Sequence, residues 1–505
     1  LLEAAPVVQV DSISGDGIEV LKQTLLSEIR HYEKEFSSTR DSREVFRLPI
    51  DRVFTIRGFG TVITGTPCSG SLNKGDHVAI LPNGKTGKVR GIEIFNEKSD
   101  SAEAGQRTAL NLTGLEKESL ERGMVVASVN TLRPSRMLDA VVHLLPDAPS
   151  PLKNRAAIRF HHGSAEIFGR IHLLDGSHLS PGDSTLVQLR LERPVLCCPK
   201  DHFILRRYSP ITTIAGGVIL DNLPVKHRKR DLADFIPELQ KLHDLLKSKD
   251  SWIDTALVEY LVKSCQHDGI PLIELIARTG FLEEYLREIL GESQEIVLTS
   301  QEPATAIFKP ALEELKQTLV QFLHDFHAST PLARGIPQEE LKEKFFKRSP
   351  ASYFQFVLHH LQKDERINFG AGTVSLFGYQ VELNAQQNLV KKDILKLLKG
   401  YKFQPPSLRK ILEQLPHNTR EIRDVYYFLL QVGQLIRINE DIVLADTQLA
   451  TLKSQLEQSF PEGRSFTVAE FKTLFDISRK YAIPFLEFLD RQRITRRVGD
   501  KRLLR

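Results

Sequence analysis

The sequence predicts a multidomain chain in which two small β-barrels are followed by four α/β winged-helix modules, and three observations predict it. Residues 42 to about 220 carry short β-branched runs broken by Gly, Pro and Asn-Gly turns, as in Thr61-Val62-Ile63-Thr64-Gly65, which is the texture of an all-β sandwich or barrel. Leu72-Asn73-Lys74-Gly75-Asp76 and Leu179-Ser180-Pro181-Gly182-Asp183 share Leu-x-x-Gly-Asp 107 residues apart, so the β region reads as two related barrels on either side of Arg133-Pro134. From about Val225 the apolar residues fall at intervals of three and four, as in Ile236, Leu239, Leu242, Leu245 and Leu246, which is helical spacing.

The helical region repeats. Four times an amphipathic helix ends in a large apolar residue, a polar break follows, and a β-branched strand starts six residues on: Leu290 to Ile296, Leu361 to Ile367, Leu430 to Ile436 and Phe488 to Ile494. The copies lie 71, 69 and 58 residues apart. A unit of this length with helices first and a hairpin last is the winged-helix layout. Two of the hairpins are legible directly, over 366–376 and 493–503, with glycine at each turn.

Composition narrows the function classes. A chain of 505 residues exceeds one compact core. With 41% hydrophobic and 26% charged residues it is globular, and no apolar run approaches the roughly 20 residues that span a bilayer. The opening Leu1-Leu2-Glu3-Ala4-Ala5-Pro6 has no basic segment or long apolar run of a secretory signal, and without an initiator Met the chain is expected to begin in mid-domain. The four cysteines form no CxxC pair, and Cys197 and Cys198 are adjacent, so a reducing cytoplasm is expected. Net charge is only +4, but residues 479–505 hold nine Lys or Arg against Glu487, Asp490 and Asp500. Such a cluster is an electrostatic footprint for a polyanion. Short charged stretches are also commonly solvated surface, and the cluster alone leaves both readings open.

Three segments carry motif information. Asn73-Lys74-Gly75-Asp76 fits the NKxD guanine-recognition pattern, but no GxxxxGK[ST] phosphate loop and no DxxG occurs in the chain, and the barrel repeat makes this segment a turn. Residues 7–21 run strand, loop, Gly15-Asp16-Gly17 and then a helix to about Tyr32, an arrangement that any strand-to-helix connection shares. His161-His162 read as barrel residues rather than metal ligands, because no carboxylate or Cys lies at helical ligand spacing.

Phe46-Arg47-Leu48-Pro49-Ile50-Asp51-Arg52-Val53-Phe54, continuing through Arg57-Gly58-Phe59-Gly60 to Thr66, closely resembles the opening of the second domain of elongation factor Tu-like proteins. Asp51-Arg52 is the spelling of the selenocysteine-specific branch, the SelB family. The likeness continues through Ala104 to Leu112, Phe466 to Phe471, Ser478 to Ala482 and Arg496 to Asp500, and covers essentially the whole chain. It implies a remnant of an α/β GTPase domain over residues 1–38, barrels over 42–132 and 133–222, and winged helices over 225–300, 301–380, 381–447 and 448–505.

The resemblance also implies roles. Asp51, Arg52 and Arg107 match the pocket for the selenocysteyl group, where two guanidiniums would favour an ionised selenol over the neutral hydroxyl of serine. An ordinary surface ion pair is the competing reading. Asp11 and Ser12 stand at the positions of the last guanine-contacting loop, where the family has Ser and Ala instead. Arg479, Lys480, Arg493, Arg496, Arg497, Lys501 and Arg502 fall in the module with which the family grips an mRNA hairpin. The implied activity is delivery of selenocysteyl-tRNA to ribosomes at UGA codons followed by such a hairpin, by a cytoplasmic monomer with no membrane contact. GTP and Mg serve the intact family, and this chain alone is expected to bind neither well and not to hydrolyse GTP. The alternatives are a general aminoacyl-tRNA carrier and a winged-helix DNA-binding regulator.

Overall fold

The computed structural model describes residues 5–35, 43–56, 60–228, 230, 232–247, 252–370, 372–461 and 463–504. Arg57-Gly58-Phe59 of the barrel motif, the hairpin residue Ala371, and the terminal residues Leu1 to Ala4 and Arg505 lie outside the described residues. The chain divides into two compact units, residues 1–315 with 348–356, and residues 316–347 with 357–505. Among the described residues no helix is long and apolar enough to cross a membrane.

Both β regions of the first unit close into six-stranded barrels. The first ring runs through His77–Leu81, Val125–Ser128, Arg47–Ile56, Gly60–Gly65, Thr108–Thr113 and Lys85–Ile94, which returns to His77–Leu81. The second runs through Ser135–Leu144, Ser184–Val195, Ala165–Leu173, Ala157–His162, His202–Arg207 and Thr213–Asp221. Side chains alternate in and out: over Ala165–Leu173 every second residue is buried. Leu48, Ile50, Ile63, Leu110 and Val126 fill the first barrel, and Leu138, Ile158, Phe160, Val187 and Leu205 the second. The repeated Leu-x-x-Gly-Asp segments are equivalent turns. In both, the Asp N–H donates to the carbonyl three residues back, Asn73 or Ser180, and the glycine has positive φ, 98° at Gly75 and 90° at Gly182. The carboxylate of Asp76 accepts from the backbone N–H of Asn73, so the NKxD-like tetrapeptide is spent on its own turn.

The first winged helix packs directly onto the barrels. Its helices Leu232–Lys247, Ile253–Ser264, Leu272–Thr279 and Glu283–Glu292 precede the hairpin Ile296–Leu298 and Thr305–Phe308. One apolar cluster joins Val45 and Ala127 of the first barrel, Leu196 and Leu220 of the second, and Leu257, Phe281 and Leu286 of the module. At this seam Arg47, 7% exposed, pairs with Asp201 at 2.7 Å. The carboxylate also accepts from the Cys198 N–H at 2.7 Å. Asn222 donates to the carbonyls of Cys197 and Ala277, and Arg278 pairs with Asp221 at 2.5 Å.

The remaining modules follow the predicted order of helices and then hairpin. Strands begin at Ile296, Ile367, Leu435 and Thr495, each within one residue of its expected start. The periodicity did not expose a third, short strand in three modules, Ile270–Pro271, Ile336–Pro337 and Phe466–Thr467, because two-residue strands leave no pattern to read. One expectation is corrected at the N-terminus: Val7 to Val10 forms no strand, since no neighbouring chain pairs with it among the described residues, while the following helix runs over Ile18–Glu35.

Breaking the seam pair tests this account. Arg47→Ala strands a buried carboxylate and is expected to cost about 3–5 kcal/mol, read as a lower midpoint for the first unit in denaturant; Arg47→Met with Asp201→Leu should recover most of it. Burial raises the Asp201 carboxyl, but Arg47 and His162 outweigh it and hold the group below its ordinary value of 3.8. Its contribution is therefore complete above that value and is lost as pH falls through the lower folded one.

Candidate RNA- and aminoacyl-binding surfaces

On the first barrel the structure brings Asp51 and Arg107 together. The register between Arg47–Ile56 and Gly60–Gly65 shifts between Ile50 and Arg52, so Asp51 is the extra residue of a β-bulge. The bulge keeps Ile50 and Val53 turned to the core while Asp51 and Arg52 both reach the outer surface. There the Asp51 carboxylate pairs with the Arg107 guanidinium, whose Nη2 also lies 3.4 Å from the Thr64 hydroxyl. Arg52 faces Thr64 across the ladder, is exposed, and makes no ion pair among the described residues. All three predicted residues thus lie around Thr64, which the sequence did not single out.

The same face carries a cleft of about 400 Å³. Its apolar lining includes Ile56, Val62 and Ala109, and its rim includes Arg90, Glu93 and Asn111. The Asn111 Oδ1 is buried without a hydrogen-bond partner among the described residues. Val62 and Thr64 are two apart on one strand, as are Ala109 and Arg107 along its neighbour, so cleft and ion pair are adjacent, roughly 7 Å apart along the strands.

The second barrel presents a basic surface that no local motif signals. His172 lies among Arg155, Arg170, Arg190 and Lys226, which come from four separate segments. Arg170 is anchored by the Arg155 carbonyl, and Arg190 by the Gln188 side-chain oxygen at 2.9 and 3.1 Å, so two guanidiniums are held by neutral acceptors. Burial, then Arg190, Arg155, Lys226 and Arg170, push His172 down to about 4.

In the second unit, Arg479 and Lys480 are exposed in the first turn of the helix Arg479–Arg491, behind Ser478. Arg493, Arg496, Arg497 and Lys501 are exposed on or beside the hairpin. Arg502 is a correction: it is 7% exposed, and its Nε donates to Asp490 at 2.9 Å. Strand alternation turns it inward, where with Thr495 it ties the hairpin to the helix through one carboxylate.

The remaining candidates behave differently. Asp11 accepts from the Ile13 N–H and the Ser14 hydroxyl, both at 2.8 Å, and these bonds hold its carboxyl below the usual range. Its carboxylate is committed to its own turn and Ser12 is exposed beside it, so neither side chain is preorganised for a guanine. His162, Cys197 and Asp201 place ligand atoms within 4.8 Å of one another. Arg47 already occupies the Asp201 carboxylate, and His162 shares its Nδ1 with the His202 carbonyl.

Known proteins resemble this chain throughout. Residues 60–127 match elongation factor Tu domain 2, which sets the first barrel in the elongation-factor class. Residues 139–226 match the β-barrel domain of selenocysteine-specific elongation factors, and residues 320–376 and 460–504 match winged helices of elongation factor SelB. A selenocysteine-specific elongation factor of Desulfomicrobium baculatum is 32% identical over 510 residues, covering 100% of this chain and 78% of its own length. Those of Haemophilus influenzae and Escherichia coli are 25% and 24% identical, covering 95% and 97% of this chain and 75% and 74% of their own. The crystal structure of a bacterial selenocysteine-specific elongation factor, EF-Sec, aligns with TM-score 0.57 and 22% identity over 98% of this chain and 74% of that one, a likeness of fold. The chain belongs to the family of selenocysteine-specific elongation factors, SelB.

The basic surface of the second barrel makes a measurable prediction. Followed by NMR, His172 should stay neutral down to about pH 4, and Arg190→Ala should move its midpoint upward. Because the folded value lies below the unfolded one, protonation opposes folding as pH drops from the ordinary histidine range towards 4.

Proposed function

We propose that this chain holds selenocysteyl-tRNA on its two barrels and reads an mRNA hairpin with its last winged helix, delivering the amino acid to ribosomes at UGA codons so marked. The observation that carries the reading is the bulge that sets Asp51, Arg52 and Arg107 around Thr64 beside an open cleft. A selenol is acidic enough to be mostly ionised at neutral pH, and two guanidiniums favour the anion by Coulomb attraction and charge-assisted hydrogen bonds. Asp51 orients one of them and offsets part of the charge, leaving a site that attracts one anion rather than any polyanion. Serine offers a neutral hydroxyl and gains little there.

The division of labour follows the domains. Residues 42–132 take the aminoacyl end, and the adjoining cleft, with its apolar floor and orphaned Asn111 acceptor, suits the terminal nucleoside. Residues 133–222 offer Arg155, Arg170 and Arg190, joined by Lys226 just beyond them, to the phosphates of the tRNA stem. Residues 448–505 grip the message with Arg479, Lys480, Arg493, Arg496, Arg497 and Lys501. Hairpin tips expose bases and kinked backbone, which suits a small module reading shape. Residues 225–447 form the other three modules. GTP acts as the switch in the intact family.

Two measurements test this. Arg107→Ala should weaken selenocysteyl-tRNA binding by about 10- to 100-fold, the worth of a hydrogen bond to a charged group, and seryl-tRNA binding only slightly; equal losses would refute selection by charge. In gel shifts of the full chain, Arg479→Ala with Lys480→Ala should abolish binding to the hairpin of a selenoprotein message, and preference for duplex DNA over that hairpin would sink the RNA reading.

A further inference from the structure

We propose that the third winged helix carries a second RNA-binding surface, along its first helix Ala385–Gly400, and that this surface is continuous with the cationic face of the fourth module. The inference rests on the reading of that fourth module as an RNA binder, and it adds a contact that the C-terminal charge cluster does not include.

The charge pattern of this helix is unlike that of its counterparts. Ala385–Gly400 holds Lys391, Lys392, Lys396 and Lys399 against a single acid, Asp393, whereas the first helices of the other modules each carry two or three acids, such as Glu313, Glu314 and Asp325 in Lys309–Ser329. Lys402, Arg409 and Lys410 extend the run. Neither nearby acid forms an ion pair with these lysines among the described residues: Asp393, which shares the cleft lining with Lys396, accepts from His417 Nε2 at 2.7 Å, and Glu413 pairs with Arg409. Lys392, Lys396 and Lys399 are exposed at intervals of four and three, so they form one stripe. Val390, Ile394 and Leu398 bury the opposite face against Ile422, Val425 and Leu429.

The stripe borders a place for a base. Lys396, Gly400, Tyr401, Leu415 and Pro416 line a cleft of about 480 Å³. Tyr401 is 39% exposed and its hydroxyl is held by Gln414 at 2.9 Å. Cations beside a fixed, accessible aromatic ring are what single-stranded or unpaired RNA needs, phosphates on the first and a stacked base on the second.

Continuity with the fourth module comes from the junction. Gln404 donates to the Asp476 carbonyl at 2.9 Å, and Phe403 meets Phe475 edge-on at 5.1 Å. Lys402 is two residues before Gln404, and Arg479 three residues after Asp476, so the stripe ends where the cations of the last module begin. The third module's own hairpin-proximal helix Thr419–Gln431 balances Arg420 and Arg423 with Glu421 and Asp424, so the contact bypasses the usual recognition helix. The ligand chemistry is RNA backbone phosphate with one unpaired base, supplied by the lower stem of the same message or by ribosomal RNA.

The experiment uses the full chain with Lys392→Gln, Lys396→Gln and Lys399→Gln combined, exposed changes that keep helix propensity, with circular dichroism confirming the fold. The probes are a minimal hairpin from a selenoprotein message, the same hairpin with its stem lengthened by a helical turn, and purified small ribosomal subunits. The triple variant should bind the minimal hairpin as wild type does. On the lengthened hairpin or the subunits it should bind roughly tenfold or more weakly, with the slope of log affinity against log salt reduced by about 2 to 3. Loss on the lengthened hairpin identifies the message as source, and loss on the subunits identifies ribosomal RNA. Unchanged affinity and slope on all three probes would overturn the proposal. Arg479→Ala with Lys480→Ala, run in parallel, separates the two readings: if it still bound the minimal hairpin, the role of the fourth module would fall while the lysine stripe kept its own salt slope.

Discussion

A buried guanidinium has to meet a carboxylate, and in this protein that requirement joins three domains. Arg47 opens the first strand of the first barrel, yet its partner Asp201 belongs to the second barrel, and its Nε reaches Ser69 Oγ at 3.0 Å. The Val45 N–H next to it donates to the Gly280 carbonyl of the first winged helix at 2.8 Å. Apolar contact alone would let these surfaces slide, because burial is indifferent to direction. A pair of desolvated charges is not indifferent: any shift that separates them leaves each buried without compensation. The pair therefore adds little net stability over an apolar equivalent but fixes one docking geometry. Within the first unit, the Asp51–Arg107 face of the first barrel and the basic surface of the second are thereby held in one relation to each other.

Within that frame one extra residue shapes the outer face of the first barrel around Thr64. Without the bulge at Asp51, alternation would send Asp51 and Arg52 to opposite sides of the strand, and one of them into the core. The bulge places both outside while Ile50 and Val53 keep the core filled. The Asp51–Arg107 pair is about half exposed, and such pairs contribute little to folding. Its effect is positional: it spends one carboxylate to aim one guanidinium and leaves Arg52 without an ion-pair partner among the described residues.

How much of this was legible in the sequence depended on how far apart the cooperating residues are. Barrels and modules were legible because each repeats a local pattern, a Gly-Asp turn or a helix followed six residues later by a strand. Asp51, Arg52 and Arg107 were legible through family spelling, although the bulge that unites them was not, since it depends on cross-strand register. The basic surface around His172 was invisible because its four cations are scattered from Arg155 to Lys226 and meet only when the barrel closes. Arg502 misled for the complementary reason: in a run of cations nothing local marks the one that the pleat turns inward. The lysines of Ala385–Gly400 were in plain view but diluted by length, their excess emerging only when one helix face is compared with its counterparts.

The fourth module is not packed as an isolated unit. Ile438, Ile442 and Leu444 of the third module share an apolar cluster with Phe466, Phe471, Phe485 and Leu489 of the fourth. Arg491 donates to the Ile438 carbonyl at 2.8 Å, and Gln448 of the linking helix donates to the Leu398 and Lys402 carbonyls. A module of about 60 residues buries too little surface to be stiff by itself. Sharing a core with its neighbour lends it rigidity, so the cations of its hairpin and helix are held in place in advance, and less ordering entropy would oppose the RNA binding proposed for it. The same shared core transmits constraint in the other direction, because RNA that bridges both modules would resist any motion between them.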